Sequence, residues 1–298
     1  MTRWDLLAGA ALDLAIGDPH NLPHPVRAIG WLISKAEILC RRSGLPLRIA
    51  GVLLCASVIG VSSMIVWVTL PWASVYWVYS LLCLRSLDVE SSRVVLSLER
   101  GNIEQARAQV GMIVGRDTAN LNTPQILRAS IETVAENVSD GVIAPLFYLA
   151  LLGPAGMAAY KAANTLDSMV GHKREKYREL GWASARLDDV LNFIPARLSA
   201  VLVWVTAGLL GMNPWRSVCV TLRDAKSQPS PNSGWPEAAF AGAIGIQLGG
   251  VNYYHGTASV KGFIGDPLRP LNTSAFRAAR KLLYGSSLLM IAGVYLCL

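Results

Sequence analysis

Long apolar runs alternate with short polar clusters along this chain. Residues 49–84 are nearly all apolar and are interrupted at Pro71, a length that suits two membrane helices joined as a hairpin and returning at Arg85. Residues 142–166 form a second run, cut in its middle by Gly153-Pro154-Ala155-Gly156. Each half is too short to span a bilayer, so the pattern predicts a re-entrant helical hairpin, buried in protein or lining a cavity. A third run covers 194–212 and stops at Asn213-Pro214, and a last one covers 282–298. Residues 4–17 are apolar apart from Asp5 and Asp13 and are marginal as a span. The fold class that follows is all-α: a polytopic integral membrane protein with about four to five membrane segments, a re-entrant helical hairpin and helical cytoplasmic loops. Residues 1–298 read as a single polytopic membrane domain.

Two polar stretches interrupt this plan. Residues 85–140 are charged and mixed in sign, with Leu87, Val94, Val95, Leu98, Ile103, Ala106, Val110 and Ile113 at roughly helical spacing. Gly101-Asn102 makes a turn between two helices, and Thr123-Pro124 reads as the N-cap and first residue of a third. Residues 222–281 form a polar loop region carrying Ser230-Pro231-Asn232-Ser233-Gly234, after which Pro236-Glu237 opens a small-residue helix. Gly242, Gly245, Gly249 and Gly250 read as close helix packing, Gly245 and Gly249 in GxxxG spacing.

Composition agrees with a membrane setting. The 298 residues are 52% hydrophobic and 16% charged, and the mean hydropathy is +0.38, too apolar for an ordinary soluble chain. The net charge of +7 does not point to nucleic acid, because bases and acids are interleaved and no Lys/Arg tract stands alone. Arg27, Lys35, Arg41, Arg42 and Arg48, opposed only by Glu37, form a short basic stretch that the positive-inside rule puts in the cytoplasm. The five cysteines show no CxxC and no Cys/His ligand spacing, so they read as small buried hydrophobes. The apolar N-terminus runs into Gly17-Asp18-Pro19 without a small-residue cleavage pattern and reads as a retained segment.

Candidate chemistry gathers at the ends of the apolar runs. Glu132, Glu136 and Asp140 are spaced i, i+4, i+8 and would lie along one helical stripe, where like charges repel unless a cation covers them. Asn137 shares that helix. Lys161, Asn164 and Asp167 end the run that Asp140 begins, so a re-entrant path brings the two polar ends together, whereas a single crossing separates them by the bilayer. Beyond them, Arg186 and Asp189 (i, i+3) and Asp188 and Asn192 (i, i+4) project from shared helix faces, with Arg197 following. Such paired carboxylates suit Mg²⁺, while surface salt bridges to Arg186 are the bland account. The loop 17–31 concentrates Asp18, His20, His24 and Arg27, types that bind phosphate or a metal; a plain polar turn is the competing reading. No GxxxxGK[ST] loop is present.

The motifs GDPHNLPHPVRAIG, ENVSDGVIAPLFY, YKAANTLDSMVG, ARLDDVLNFIPAR and SPNSGWPEAAFAGAIGIQLGG, in this order, resemble the adenosylcobinamide-phosphate synthase family of cobalamin biosynthesis (CobD/CbiB-type) from about Gly17 to about Gly265. The resemblance implies a multi-pass protein of the bacterial inner (cytoplasmic) membrane with its motif loops on the cytoplasmic side. It also implies a C–N ligase that joins adenosylcobyric acid to (R)-1-amino-2-propanol or its O-phosphate, using ATP and Mg²⁺. Its partners would be the corrinoid and aminopropanol substrates, the lipid bilayer and other membrane enzymes of nucleotide-loop assembly, with no nucleic acid. On that reading Glu132, Glu136, Asp140, Asp167, Asp188 and Asp189 serve catalysis, and Glu136, Asp140 and Asp167 hold Mg²⁺. Asp18, His24, Asn137, Lys161, Asn164, Arg186, Asn192, Arg197, Ser230 and Asn232 bind substrate. Two rivals are a Mg²⁺-dependent membrane transferase acting on a lipid or prenyl diphosphate and a non-catalytic scaffold or transporter of the corrinoid pathway. The first predicts DxxxD repeats and the second ionisable groups spread along full spans; neither pattern is found.

Overall fold

In the computed structural model, which describes residues 1–19, 24–171, 175–254 and 256–298, the apolar run around Gly153 becomes a helix that doubles back. This helix, α7 (Ala144–Val170), breaks at Gly153, whose φ of 71° favours glycine, and Pro154 follows. Asn164 lies 3.5 Å from the Asp140 carboxylate although 24 residues separate them. An unbroken helix of that length would hold them about 36 Å apart.

The other helices are α1 (Arg3–Ile16), α2 (Pro25–Arg42), α3 (Leu47–Leu81), α4 (Leu84–Glu99), α5 (Ile103–Ile113) and α6 (Thr123–Val138), then α8 (Trp182–Leu191), α9 (Phe193–Leu209), α10 (Pro214–Asp224), α11 (Gly234–Ile244) and α12 (Thr273–Cys297). A π-helical turn, Ser139–Ile143, follows α6 and interrupts the 3.6-residue period between Glu136 and Asp140. Two strands, β1 (Leu248–Tyr254) and β2 (Thr257–Ile264), pair antiparallel. The protein is therefore predominantly helical, with one hairpin that an all-α reading does not contain. Its irregular register near Gly249 and Gly250, both at positive φ, hid a strand behind what reads as helix-packing glycines. Gly245 is the left-handed C-cap of α11, and Gly242 alone serves helix packing, since a Cβ there would lie 2.7 Å from Ser217 Cα of α10. The helix at Thr123 is capped one residue earlier than expected, by an Asn122/Gln125 capping box.

By length and composition, two helical stretches among the described residues can cross a membrane, Leu47–Glu99 and Thr123–Val170. A third is added if Trp182–Leu191 and Phe193–Leu209, bent by 41°, make one span. α3 departs from helical geometry at Ala73, two residues after Pro71. Along it Val52, Leu53, Met64, Ile65, Trp67 and Trp72 are exposed, an apolar surface suited to lipid.

Residues pack into two compact units. The first comprises Met1–Cys83, Asp140–Phe193 and Ile291–Leu298. Its core joins Ile29 and Ile33 of α2, Leu54 and Val58 of α3, and Leu166 and Val170 of α7. The second comprises Leu84–Ser139 and Ile194–Met290 and is built partly on Val94, Ala106, Val110, Ile126 and Ala129 of α4–α6. Asp88 of α4 is buried there and tied to Arg280 and Tyr284 of α12. The cysteines form no disulfide; Cys55 is buried as expected, but Cys219 and Cys297 are exposed at helix surfaces.

Close backbone approach in the first unit is checkable. A Cβ on Gly51 would fall 2.1 Å from the Leu180 carbonyl oxygen, an atom that cannot swing away. Gly51→Ala should destabilise the protein by about 1–3 kcal/mol in thermal unfolding of the detergent-solubilised chain. Gly60→Ala, with nothing within 4 Å of the new methyl, should be neutral or mildly stabilising.

Candidate functional site

Each unit contains a cluster of buried polar side chains, and most residues singled out by sequence fall in one or the other. In the first unit, Asn164 Nδ2 donates to Asp188 Oδ1 at 3.3 Å and sits 3.5 Å from Asp140 Oδ2. Asn192 is buried; it donates to Asp188 Oδ2 at 3.0 Å and accepts from the Tyr160 hydroxyl at 2.8 Å. Tyr148 stacks on Tyr160 with centroids 5.2 Å apart, and its hydroxyl donates to the Leu191 carbonyl. Both oxygens of Asp188 are thus met by neutral amides, and no cation among the described residues forms an ion pair with it. A carboxylate held this way keeps its charge available to a cationic ligand.

Around this cluster, Lys161 is buried on α7, one turn before Asn164. Asp167 lies one turn beyond, its carboxylate over Gly171, where a Cβ would be 1.9 Å from Oδ1. His24 caps α2: its Nδ1 accepts from the Val26 N–H, which leaves the proton on Nε2 to donate to Asp18 at 3.0 Å. His20 lies outside the described residues. Arg186 and Asp189 approach only to 3.9 Å, with the Arg186 side chain 71% exposed, so this pair contributes little to stability.

In the second unit, the expected repulsion along α6 is relieved by the protein's own cations. Glu132 accepts from Arg116 Nη2 at 2.6 Å and from the Gly249 N–H at 2.8 Å, with Arg128 at 3.7 Å. Arg128 also donates to the Gly249 and Val251 carbonyls, and both arginines reach Asn252. Glu132 therefore ties α6 to β1. Arg197 stacks over Trp235 at 4.6 Å and donates to Asn232 Oδ1 at 3.3 Å. Ser230 Oγ accepts from the N–H groups of Asn232 and Ser233, which closes the SPNSG turn on itself.

Beside Glu132 is a cavity of about 140 Å³ lined by Glu136, Asn137, Arg116, Glu237, Tyr254 and Lys261. Asn137 donates to the Thr133 carbonyl at its edge. Glu237 is 2% exposed, and its carboxyl has no hydrogen bond or ion pair with any described residue. Burial, then repulsion from Glu136 and Glu132, pushes that carboxyl well above the ordinary glutamate range. Burial pulls the Lys261 ammonium down, but the attraction of Glu237, Glu136 and Glu132 outweighs it and the net shift is upward. Sequence reading missed Glu237, Lys261, Arg116 and Tyr254 as site residues. The one available signal was an acid in the first turn of an otherwise uncharged helix.

Among the described residues, no group of three or more His, Cys, Asp or Glu side chains is placed to hold a metal ion. Glu136, Asp140 and Asp167 therefore do not make a ready-formed ligand set. The carboxylate–amide chemistry around Asp140 and Asp188 fits an ion that arrives already coordinated by phosphate oxygens and water.

The family model described as CobD/Cbib protein matches residues 6–283. The chain is similar to cobalamin biosynthesis protein CobD of Pelobacter propionicus, at 50% identity over 291 residues, 94% of this chain and 90% of that protein. It is 44% identical to cobalamin biosynthesis protein CbiB of Salmonella arizonae, over 94% of this chain and 92% of that one. It is 43% identical to a CobD protein of Listeria monocytogenes, over 96% of each chain. No solved structure matches.

Two outcomes test the electrostatics. Glu132→Ala leaves Arg116 buried beside no carboxylate and should cost about 3–5 kcal/mol in unfolding, whereas Arg186→Ala should change stability by less than about 0.5 kcal/mol. Glu237 binds its proton more tightly folded than unfolded. Its contribution to stability is therefore complete below the ordinary value of 4.5 and is lost as pH rises through the raised folded value. The unfolding temperature, followed upward from about pH 5, should fall with pH, and Glu237→Gln should flatten that fall.

Proposed function

The chain belongs to the CobD/CbiB family of cobalamin biosynthesis proteins, and from that premise we propose that it is an acid–amine ligase of the bacterial inner membrane. It joins the propionate carboxyl of adenosylcobyric acid to (R)-1-amino-2-propanol or its O-phosphate. The observation that carries this reading is the family match over nearly the whole chain, together with the motifs that bring Asp140, Asn164, Asp188 and Asn192 into one buried cluster.

A carboxylate does not condense with an amine in water without activation; ATP with Mg²⁺ supplies it by making one carboxyl oxygen a phosphorylated leaving group. The C–N bond forms as that oxygen departs and the amine gives up a proton. Asp140 and Asp188, with Asp167 nearby, offer the carboxylates for nucleotide-borne Mg²⁺. Lys161 offers a cation for phosphate or propionate, and Asn164 and Asn192 hold the acids in place. Support for membrane depth comes from the doubling-back of α7 and the apolar outer face of α3. We read α7 as a re-entrant hairpin, within about four to five membrane segments, with its polar ends on the cytoplasmic side.

The purified membrane protein should convert labelled adenosylcobyric acid and the amine to the amide only with ATP and Mg²⁺. Asp140→Ala and Asp188→Ala should each lower kcat by about 100-fold or more while the unfolding temperature stays within a few degrees. Near-normal turnover in both variants would remove this cluster from the chemistry.

A further inference from the structure

The carboxylate-lined cavity of the second unit has no part in the scheme above, yet it has the features of a built site. Three acids, Glu132, Glu136 and Glu237, border it. Glu132 is already compensated by Arg116 at 2.6 Å and by the Gly249 N–H. Glu237 is not: it is 2% exposed, faces the cavity, and has no hydrogen-bonding partner among the described residues. A buried polar group left in that state is costly unless a ligand or ordered water completes it. Lys261 borders the same space, and it too forms no ion pair within 4.0 Å among the described residues. With Glu132 set aside, the cavity holds two acids and one lysine, so one further positive charge balances it.

We propose that this cavity receives the ammonium end of a small primary amine, with Glu237 and Glu136 as its acceptors. An ammonium has three donors and no acceptor, which suits a wall of carboxylates with the Asn137 amide beside them. About 140 Å³ admits a few non-hydrogen atoms and excludes any large cation. The assignment rests on the ligase reading for the identity of the amine, the free amino alcohol or its phosphate, but not for the recognition of the ammonium itself. In either compound the ammonium is the shared feature, and a phosphate would be left at the mouth, since the cavity already has an excess of acids.

The test uses the purified full-length chain without corrinoid or ATP. Calorimetric titration is run with (R)-1-amino-2-propanol, with its O-phosphate, and with isopropyl phosphate, which lacks the amine. Saturable binding of at least one amine and none of isopropyl phosphate is expected. Glu237→Gln should weaken amine binding by about ten-fold or more, the loss of one charge-assisted hydrogen bond, and in the coupled assay should raise the amine KM while leaving the corrinoid and ATP KM values unchanged. Lys261→Met removes the cation that competes for the acids and should tighten amine binding, a direction that general damage to the fold would not produce. Unchanged amine affinity in Glu237→Gln, weaker affinity in Lys261→Met, or binding of isopropyl phosphate as tight as that of the amino phosphate would each overturn the proposal. Should the amine bind with these dependences while no amide forms, the cavity stands and the ligase reading falls; amide formation with an amine KM indifferent to Glu237 has the reverse meaning.

Discussion

A carboxylate withdrawn from water must be met by donors or by opposite charge, and the cost of leaving it unmet exceeds almost any other local term. In this protein that constraint decides how polar residues near the apolar runs are used. Asp88 is met by Arg280 and Tyr284, Glu132 by Arg116 and the Gly249 N–H, and Asp188 by Asn164 and Asn192. In each case the partner lies far away in sequence, so the polar contacts fix which segments come together as firmly as apolar packing does.

Backbone that approaches this closely needs positions without a side chain. Gly51 meets the Leu180 carbonyl, Gly181 the Val170 carbonyl, and Gly153 supplies the positive φ at which α7 reverses. The reversal links sequence to site: it converts a separation of 24 residues between Asp140 and Asn164 into a contact of 3.5 Å. Stacked Tyr148 and Tyr160, on opposite sides of the break, hold the two arms together, and the Tyr160 hydroxyl passes that order on to Asn192.

Much of this was legible in the chain. Gly153-Pro154 inside a run too apolar for a loop, with Asp140 before it and Asn164 after, announces a reversal through the ordinary physics of glycine and proline. Helix-spaced pairs such as Asp188 and Asn192 announce a shared face. What the chain could not announce was compensation at a distance. The stripe Glu132–Glu136 reads as uncovered charge because Arg116 lies on a separate loop, and nothing local says that it folds back onto Glu132. The β1–β2 hairpin escaped because its glycines imitate a helix-packing repeat. Glu237 escaped because a first-turn glutamate is ordinarily a solvated dipole partner, and only burial by β2 and α6 makes it something else.

The two clusters differ in how negative charge is balanced, and that difference separates scaffold from chemistry. Where a guanidinium neutralises a carboxylate, as at Glu132, the pair is closed and no ligand gains by approaching it. Where the donors are neutral amides, as at Asp188, the hydrogen bonds are satisfied but the charge is not, and the field extends into whatever space adjoins it. Amides therefore orient an acid without spending its charge, which is what an acid needs if it is to meet a cation-bearing phosphate during a reaction. Identical residue types thus take opposite roles, and the deciding feature is whether the neighbouring donor carries a charge of its own.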